Sequence, residues 1–368
     1  MKKLLLPALA GALLSPLAAH GQFVSLPEPS PKATVSQTVG ITDVTVVYHR
    51  PSVQKREIWG KLVPYGFNNL GFGTSKAAPW RAGANETTTI SFEDDVTVAG
   101  SPLKAGKYGL FMAIAPDGTA TWIFSRDTET WGSFFYDEAR DALRVTTKWE
   151  DAPFQEQLLY GFSDVTDDSA VLSLSWEKKR FALPIRVDTK QVVLARLKTE
   201  MRGSKGFHYQ DWVAASGYLL KNDLELPLAL EWAEFAVSDP NIGERNFTTL
   251  SNKADVLEKL GRGADAAAVM DEAVKYGTPI EIHQYGRKLL GAHNKEKAME
   301  VFKLNARLHP DAWPVNYGLA RGYSAMGDYK AALEALLKAQ TQIPEGDTLN
   351  AAPIKANIEK LRNGQDIN

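Results

Sequence analysis

The hydrophobic period of this chain changes once, near Val187, and that change constrains the fold more tightly than any motif. From about Thr34 onward apolar residues alternate with polar ones, as in a strand with one buried face. Beyond Val187 they recur every three to four residues, as on one face of a helix. In "KYGLFMAI" the residues Tyr108, Leu110, Met112 and Ile114 share a face. "APDG" then turns the chain through Pro116, Asp117 and Gly118, and "TATWIFS" returns with Ala120, Trp122 and Phe124 on one face. A second hairpin is expected from "VLSLSW", a turn at "EKKR", and "FALPIRV", with Pro184 on the outward phase of an edge strand. Further strands near 43–48, 87–92, 96–99, 143–149 and 155–162 bring the expected count to about nine or ten. An antiparallel β-sandwich buries such faces.

The helical half begins with a connecting helix over 188–208, capped at Asp188, and continues as helix pairs broken by short Gly, Pro and Asn/Asp turns. Leu319, Ala332, Leu336 and Pro344 lie 34 residues after Tyr285, Ala298, Phe302 and Pro310. This spacing resembles the tetratricopeptide repeat, a helix–turn–helix unit that buries its face by stacking on neighbours. His293 and Asn305 depart from the small residues the repeat prefers. Two degenerate pairs are expected earlier, around 211–239 and 247–277. The expected organisation is a signal peptide over 1–21, a linker over 22–33 and a β-sandwich over 34–187. The connecting helix follows, then a tetratricopeptide-like α-solenoid over 209–345 and a helix with tail over 346–368. The fold class is therefore all-β plus all-α in separate domains.

Composition narrows compartment and partners. The N-terminus carries Lys2 and Lys3, an apolar run from Leu4, then Ala19 and Gly21, which suit signal-peptidase cleavage before Gln22. Pro7 and Pro16 interrupt that run, which is short for a bilayer span, and no later run is long and apolar enough. The mature chain is thus expected in the periplasm or at the cell surface, without a membrane span. A formal net charge of -2 and no block of Lys and Arg argue against nucleic acid as a partner. The absence of Cys excludes disulfides, thiolate metal sites and Cys nucleophiles.

No chemical motif stands out. The histidines show neither one-turn pairing nor an H-E-x-x-H frame, "LGFGTSKAAP" lacks the ending of a phosphate loop, and no G-x-S-x-G is present. No catalytic residue, metal site or cofactor is assigned. "LGFGTSKAAP" reads as a flexible loop. Two segments concentrate polar residues on loops beside strands. One is "VVYHRPSVQKREIWGKLVPYG", with His49, Arg50, Arg56 and Trp59. The other is "PWRAGANETTT", with Arg81, Asn85 and Glu86 around Gly83. His49, Arg50, Arg81, Asn85 and Glu86 are the candidate binding residues. Such groups serve recognition, or they satisfy carbonyls where a loop is buried. The second role is favoured here: Arg81 is expected to hold Glu86, Glu57 or loop carbonyls, and Gly83 to relax the backbone. Glu86 facing Asp94, Asp95 or Glu57 would be the arrangement for glycoside chemistry.

"YHRPSV...IWGKLVPYG", "WRAGANETTTISF", "DVTVAGSPLKAGKYGLF" and "DTETWGSFFYDEARDALRV" together resemble the bacterial domain of unknown function family 2911 over residues 34–187. The inserted "GFNNLGFGTSKAAP" is a departure from many members. The resemblance implies export and a following set of tetratricopeptide-like repeats, and it implies no activity. Arg50, Arg81, Asn85, Glu86 and Tyr108 sit on its recurrent motifs. The expected function is a non-enzymatic binding or scaffolding protein that takes a protein or peptide in its helical repeats. The alternative is a glycan-active or glycan-binding β domain around Arg81 and Glu86. Intact-mass measurement of protein from its native envelope should give a chain beginning at Gln22, and a species retaining residues 1–21 would contradict the export reading.

Overall fold

The computed structural model describes residues 26–368. The expected signal peptide and its cleavage point lie outside the described residues. The chain forms two compact units that divide between Thr189 and Lys190.

The first unit is a nine-stranded antiparallel sheet in the order β1-β2-β3-β6-β7-β8-β9-β4-β5. The strands are β1 (Lys32–Val39), β2 (Thr42–His49), β3 (Thr89–Phe92), β4 (Val96–Val98), β5 (Ser101–Leu103), β6 (Gly106–Ile114), β7 (Thr119–Ser125), β8 (Asp141–Ser163) and β9 (Ser169–Val187). Two long strands fold the sheet into a sandwich. The first third of β8 pairs with β7, and the remainder, from Trp149, pairs with β9, whose last residues pair with β4. The layers close where the chain leaving β2 pairs back onto β8, through Leu158 N–H to the Pro51 carbonyl (3.0 Å) and Val53 N–H to the Glu156 carbonyl (2.8 Å).

Two expectations are corrected. The strands near 143–149 and 155–162 are one strand, β8, with its register broken between Asp151, Gln155 and Leu159. The hairpin around "EKKR" is also one strand, β9. Its charges are used in cross-strand pairing, Lys179 with Asp151 and Arg180 with Glu150 (3.6 Å), where a turn was expected. Glu177, at φ 55, absorbs the local irregularity opposite Gln155. The "APDG" turn forms as read, with Gly118 at φ 84. Strand β6 is buried on both faces. Tyr108, Leu110, Met112 and Ile114 face the core, while Phe111 forms a second small cluster with Ile123 and Tyr136.

The second unit is helical: α1 (Thr189–Glu200), α2 (Tyr209–Lys221), α3 (Leu226–Ser238), α4 (Phe247–Lys259), α5 (Gly263–Ala273), α6 (Pro279–Gly291), α7 (Lys295–Leu308), α8 (Trp313–Ala325), α9 (Tyr329–Gln342) and α10 (Thr348–Arg362). Helices α2 to α9 pack as four antiparallel pairs, and α10 packs on α9. The pair α8/α9 begins 34 residues after α6/α7, helix by helix. Both N-caps of the second helices repeat, Asn294 and Asp328, as do the buried Ala298 and Ala332.

The two looser positions also have a physical account. His293 occupies the left-handed position (φ 59) that Gly327 (φ 84) fills in the next repeat. Asn305 stands where the next repeat has Ala339. Its amide nitrogen donates to the Pro279 carbonyl (2.9 Å), which satisfies one half of the buried group, while its Oδ1 has no hydrogen-bond partner. Among the described residues no helix is long and apolar enough to cross a membrane.

Ala332 is fully buried against Tyr317, Leu336 and Ala339. Ala332→Leu should therefore overpack the α8/α9 contact and cost about 1–3 kcal/mol. An unchanged thermal midpoint would contradict this packing.

Candidate functional site

The segment "PWRAGANETTT" leaves and rejoins one edge of β6. Trp80 exchanges both backbone hydrogen bonds with Met112 (2.8 Å each), and the Thr88 carbonyl accepts from Leu110 N–H (2.8 Å), on the line that β3 continues. Residues 81–87 are the excursion between them. Ala82 (φ 49) and Asn85 (φ 55) supply its left-handed turns. Gly83, expected in that role, is needed for a different reason. A Cβ there would lie 2.6 Å from Thr88 Oγ1 and 3.3 Å from the His49 carbonyl oxygen.

The Ala82 carbonyl fixes the excursion. It accepts from the hydroxyls of Tyr160 (3.0 Å) and Thr88 (3.3 Å). Tyr160, buried on β8, donates its backbone N–H to the Tyr48 hydroxyl (3.1 Å), and the two rings meet edge-on at 4.7 Å. Burial pushes the Tyr160 pKa well above its ordinary value, so its hydroxyl stays protonated and donating.

Arg81 serves the same loop. Its guanidinium donates to the Asn85 carbonyl (2.5 Å) and lies 5.2 Å from the centroid of the Phe134 ring. Gly132 allows that approach, since a Cβ there would be 2.2 Å from Arg81 Cζ. Withdrawal from water lowers the Arg81 pKa from its ordinary value. Glu86 is not its partner. It lies 3.2 Å from His49 Nε2, and Glu28 lies 3.7 Å from the same nitrogen. The Asn85 amide reaches Glu28 (3.1 Å) and the Ser30 carbonyl (3.4 Å).

The structure therefore gathers His49, Asn85 and Glu86 around Glu28 and turns Arg81 toward the 132–134 segment. Arg50 is placed apart, on the Leu158 carbonyl (3.0 Å). Tyr108, on β6, bonds the Lys104 carbonyl (2.8 Å). The carboxylates considered opposite Glu86 are used separately. Asp94 accepts from Thr42 (2.7 Å), and Asp95 pairs with Lys104 (2.8 Å). The inserted loop, read as flexible, is pinned by reciprocal bonds between Asn68 and Ala78 and by Ser75 N–H to the Phe134 carbonyl (3.0 Å). Arg56 is exposed but bonded within its own loop, and Trp59 is half-buried. Arg56 bonds the Val53 carbonyl (3.1 Å), and Trp59 sits among Trp80, Trp149, Trp176 and Phe181.

Two polar groupings escaped the sequence reading. In the β unit, Tyr136 donates to Asp141 (2.7 Å), and Arg144 donates to the same carboxylate oxygen (2.7 Å) and to the Tyr136 hydroxyl (2.7 Å). Burial raises the pKa of Asp141 and of Tyr136, and the network borders a 580 Å³ cavity rimmed by Phe67, Ser75 and Lys76. Among the described residues no group of three or more His, Asp or Glu side chains is arranged to hold a metal ion.

In the helical unit, His283 and Arg287 on α6 occupy the same repeat positions as Tyr317 and Arg321 on α8. The 34-residue spacing of Arg287 and Arg321 was the available signal, but it lies on a face the repeat pattern does not mark. Arg321 donates to the Tyr317 hydroxyl (2.9 Å) and the Ile367 carbonyl (3.0 Å), and its Nε is buried without a partner. Burial lowers the Arg321 pKa, and the Arg287 charge adds to the effect. His283 is pushed down to about 4, first by burial, then by Arg321, with a bond to the Pro314 carbonyl opposing. A cavity of 570 Å³ opens beside these residues, lined by Arg287, Leu290, Lys295 and Arg321 among others.

Taken by class, the first unit is a β-sandwich and the second a helical repeat array. Residues 30–185, in the β unit, match the family described as protein of unknown function (DUF2911), the family that its motifs resemble. No curated protein matches the sequence. Solved structures similar to the chain include two described as TPR proteins. The C-terminal part of a TPR repeat-containing protein from Cytophaga hutchinsonii is 13% identical, with a TM-score of 0.35, over 47% of this chain and 67% of that one. The thermophilic TPR protein TTC0263 of Thermus thermophilus is 18% identical, with a TM-score of 0.32, over 47% and 91%. The APC/C hetero-tetramer Cut9–Hcn1 is 14% identical, with a TM-score of 0.32, over 48% of this chain, which spans 33% of that chain's length. The repeat architecture of this protein rests on its own helix pairing.

Arg81→Ala should leave the Asn85 carbonyl short of its donor and Phe134 uncovered, and destabilise by about 1–3 kcal/mol. Glu86→Gln, at a half-exposed carboxylate, should change stability by less than about 1 kcal/mol. Equal melting midpoints for Arg81→Ala and wild type would contradict the anchoring role.

The lowered pKa of His283 sets a pH dependence. Between its folded value of about 4 and its unfolded value of 6.5, the unfolded chain binds the proton more tightly. Stability from this group is full above pH 6.5 and is lost as pH falls toward 4, by on the order of 3 kcal/mol. Chemical denaturation followed by helical circular dichroism should show a shallower pH slope in His283→Gln across that window. An identical slope would contradict burial of a neutral imidazole.

Proposed function

We propose that this protein is an exported, non-enzymatic scaffold whose helical repeats hold a segment of another protein. The observation that carries the reading is the contrast between the two units. The polar side chains of the β-unit loops are taken up by internal carbonyls and carboxylates, whereas the open cavity beside α6 and α8 has the exposed cations Arg287 and Lys295 in its lining. Stacked helix pairs present a continuous surface for extended or helical peptides. The signal-like N-terminus and the family resemblance support export. In this reading the β unit is a stable module that accompanies the repeats outside the cytoplasm. Nothing in the arrangement around Arg81 and Glu86 favours the glycan-active alternative.

A photo-crosslinking amino acid placed at Leu290, which lines the cavity, should give discrete adducts with a partner chain in cells producing the full protein. The same group at Lys303, exposed on α7, should give none. Equal adduct patterns at both positions, or none at Leu290, would contradict the proposal.

A further inference from the structure

Exposed aromatic side chains of the β unit gather on two neighbouring segments. Phe67 and Phe72 stand on the inserted loop, and Trp131 and Phe135 on the segment that follows β7. Among the described residues of this unit the remaining exposed phenylalanine or tryptophan is Phe154. Phe72 meets Phe134 at 5.3 Å and Phe135 at 6.0 Å, both edge-on, so the two segments form one aromatic ridge. A cluster of exposed apolar rings marks a surface that meets a ligand. The ridge is held in place. Ser75 N–H bonds the Phe134 carbonyl (3.0 Å), Asn68 and Ala78 exchange both backbone bonds, and a Cβ on Gly73 (φ 75) would lie 2.2 Å from the Phe134 carbonyl oxygen. A preformed wall binds with little further loss of entropy.

The same two segments enclose the 580 Å³ cavity, and its lining is mostly polar. Phe67 supplies an aromatic wall, with the Arg144 guanidinium 5.5 Å from its ring centroid. Thr74, Ser75 and Tyr136 bring hydroxyls. Ser75 is a buried residue, and among the described residues its hydroxyl has no hydrogen-bond partner. The cations Lys76 and Arg144 are balanced by Asp137 and Glu138, and Arg144 pairs with Glu138 (3.1 Å) and with Asp141 (2.7 Å). Asp141, bonded to both Tyr136 and Arg144, keeps Oδ1 buried without a partner. A network serving packing alone would avoid that cost.

This lining narrows the ligand's chemistry. Balanced charges leave no net field to hold a simple ion. Charged groups and hydroxyls on the walls disfavour a lipid tail, which would leave them without water or partners. The loop backbone is used in mutual bonds and offers no open strand edge to an extended peptide. A neutral saccharide meets what remains. Its C–H faces pack on aromatic rings, and its hydroxyls both donate and accept, which suits carboxylates, a guanidinium and side-chain hydroxyls together.

We infer that the cavity between the inserted loop and residues 136–144 binds a neutral saccharide, with Phe67 and Phe72 as aromatic contacts and Ser75, Glu138 and Arg144 as polar ones. Neither Arg81 nor Glu86 lines it, and binding there requires no covalent step. The β unit thereby gains a ligand of its own, independent of the helical repeats.

The test is affinity electrophoresis of the full mature chain through native gels. Separate gels contain mixed-linkage β-glucan, galactomannan, xyloglucan or dextran as neutral polymers, with polygalacturonate as the anionic comparison. At least one neutral polymer should retard the protein, and added salt should leave that retardation unchanged. Phe67→Ala and Phe72→Ala should each weaken the binding about tenfold, equivalent to about 1.4 kcal/mol. Both side chains are exposed, so melting midpoints should stay close to wild type. Phe154→Ala should be retarded as wild type is.

No retardation by any of the four neutral polymers, tighter binding to polygalacturonate, or equal loss in Phe154→Ala would each overturn the inference. So would a dimer in sedimentation that Phe72→Ala dissociates, since a second copy would then cover the ridge. Crosslinks at Leu290 report on the helical unit, so the scaffold reading and the saccharide site can each fail without the other.

Discussion

The carbonyl oxygen of Ala82 holds the layers of the β unit to its irregular loops. Tyr160 from β8 and Thr88 from the loop itself both donate to it, and Tyr160 is tied through its own N–H to Tyr48 at the end of β2. A buried tyrosine with its hydroxyl unpaired would forfeit much of what its ring contributes, so the loop carbonyl supports the two-layer packing. The neighbouring residues follow from this point. Ala82 takes a left-handed conformation, Gly83 fits against Thr88 and the His49 carbonyl, and Arg81 closes the excursion onto Asn85.

The helical unit distributes its charge on a different plan. Lysines and carboxylates on successive repeats pair with one another, as Lys288 does with Asp255, and such exposed pairs contribute little individually. They do remove net charge from the surface where they occur. On the face carrying Arg287 and Arg321 two like charges line one cavity, and this follows from the repeat geometry. Equivalent positions on α6 and α8 become neighbours when the pairs stack, so two arginines 34 residues apart in sequence meet in space. His283 and Tyr317 meet by the same rule, with ring centroids 5.4 Å apart.

The parts of this structure that were legible in the sequence are those fixed by local periodicity and turn chemistry. The alternation of "KYGLFMAI" and "TATWIFS" with "APDG" between them yields β6, β7 and their turn, and the 34-residue echo yields α6 to α9. "EKKR" misled because four charged residues look like a turn in isolation. The pairing of Lys179 with Asp151 and of Arg180 with Glu150 is a non-local fact of the β8–β9 pairing. The partners of the candidate residues were illegible for the same reason. Arg81 and Glu86 are near in sequence, yet one is drawn to Phe134 and the other to His49. Tyr136, Asp141 and Arg144 converge through a short loop and a β8 edge that no motif marks.

Arg50 and Arg81 in the β unit are held by internal carbonyls, whereas Arg287 on α6 is exposed. Reaction of the native protein with phenylglyoxal, followed residue by residue through mass spectrometry, tests this directly. The account predicts rapid modification of Arg287 and slow modification of Arg50 and Arg81, with the latter two reacting only as the β unit unfolds. Modification of Arg81 at the rate of Arg287 in the folded protein would contradict it.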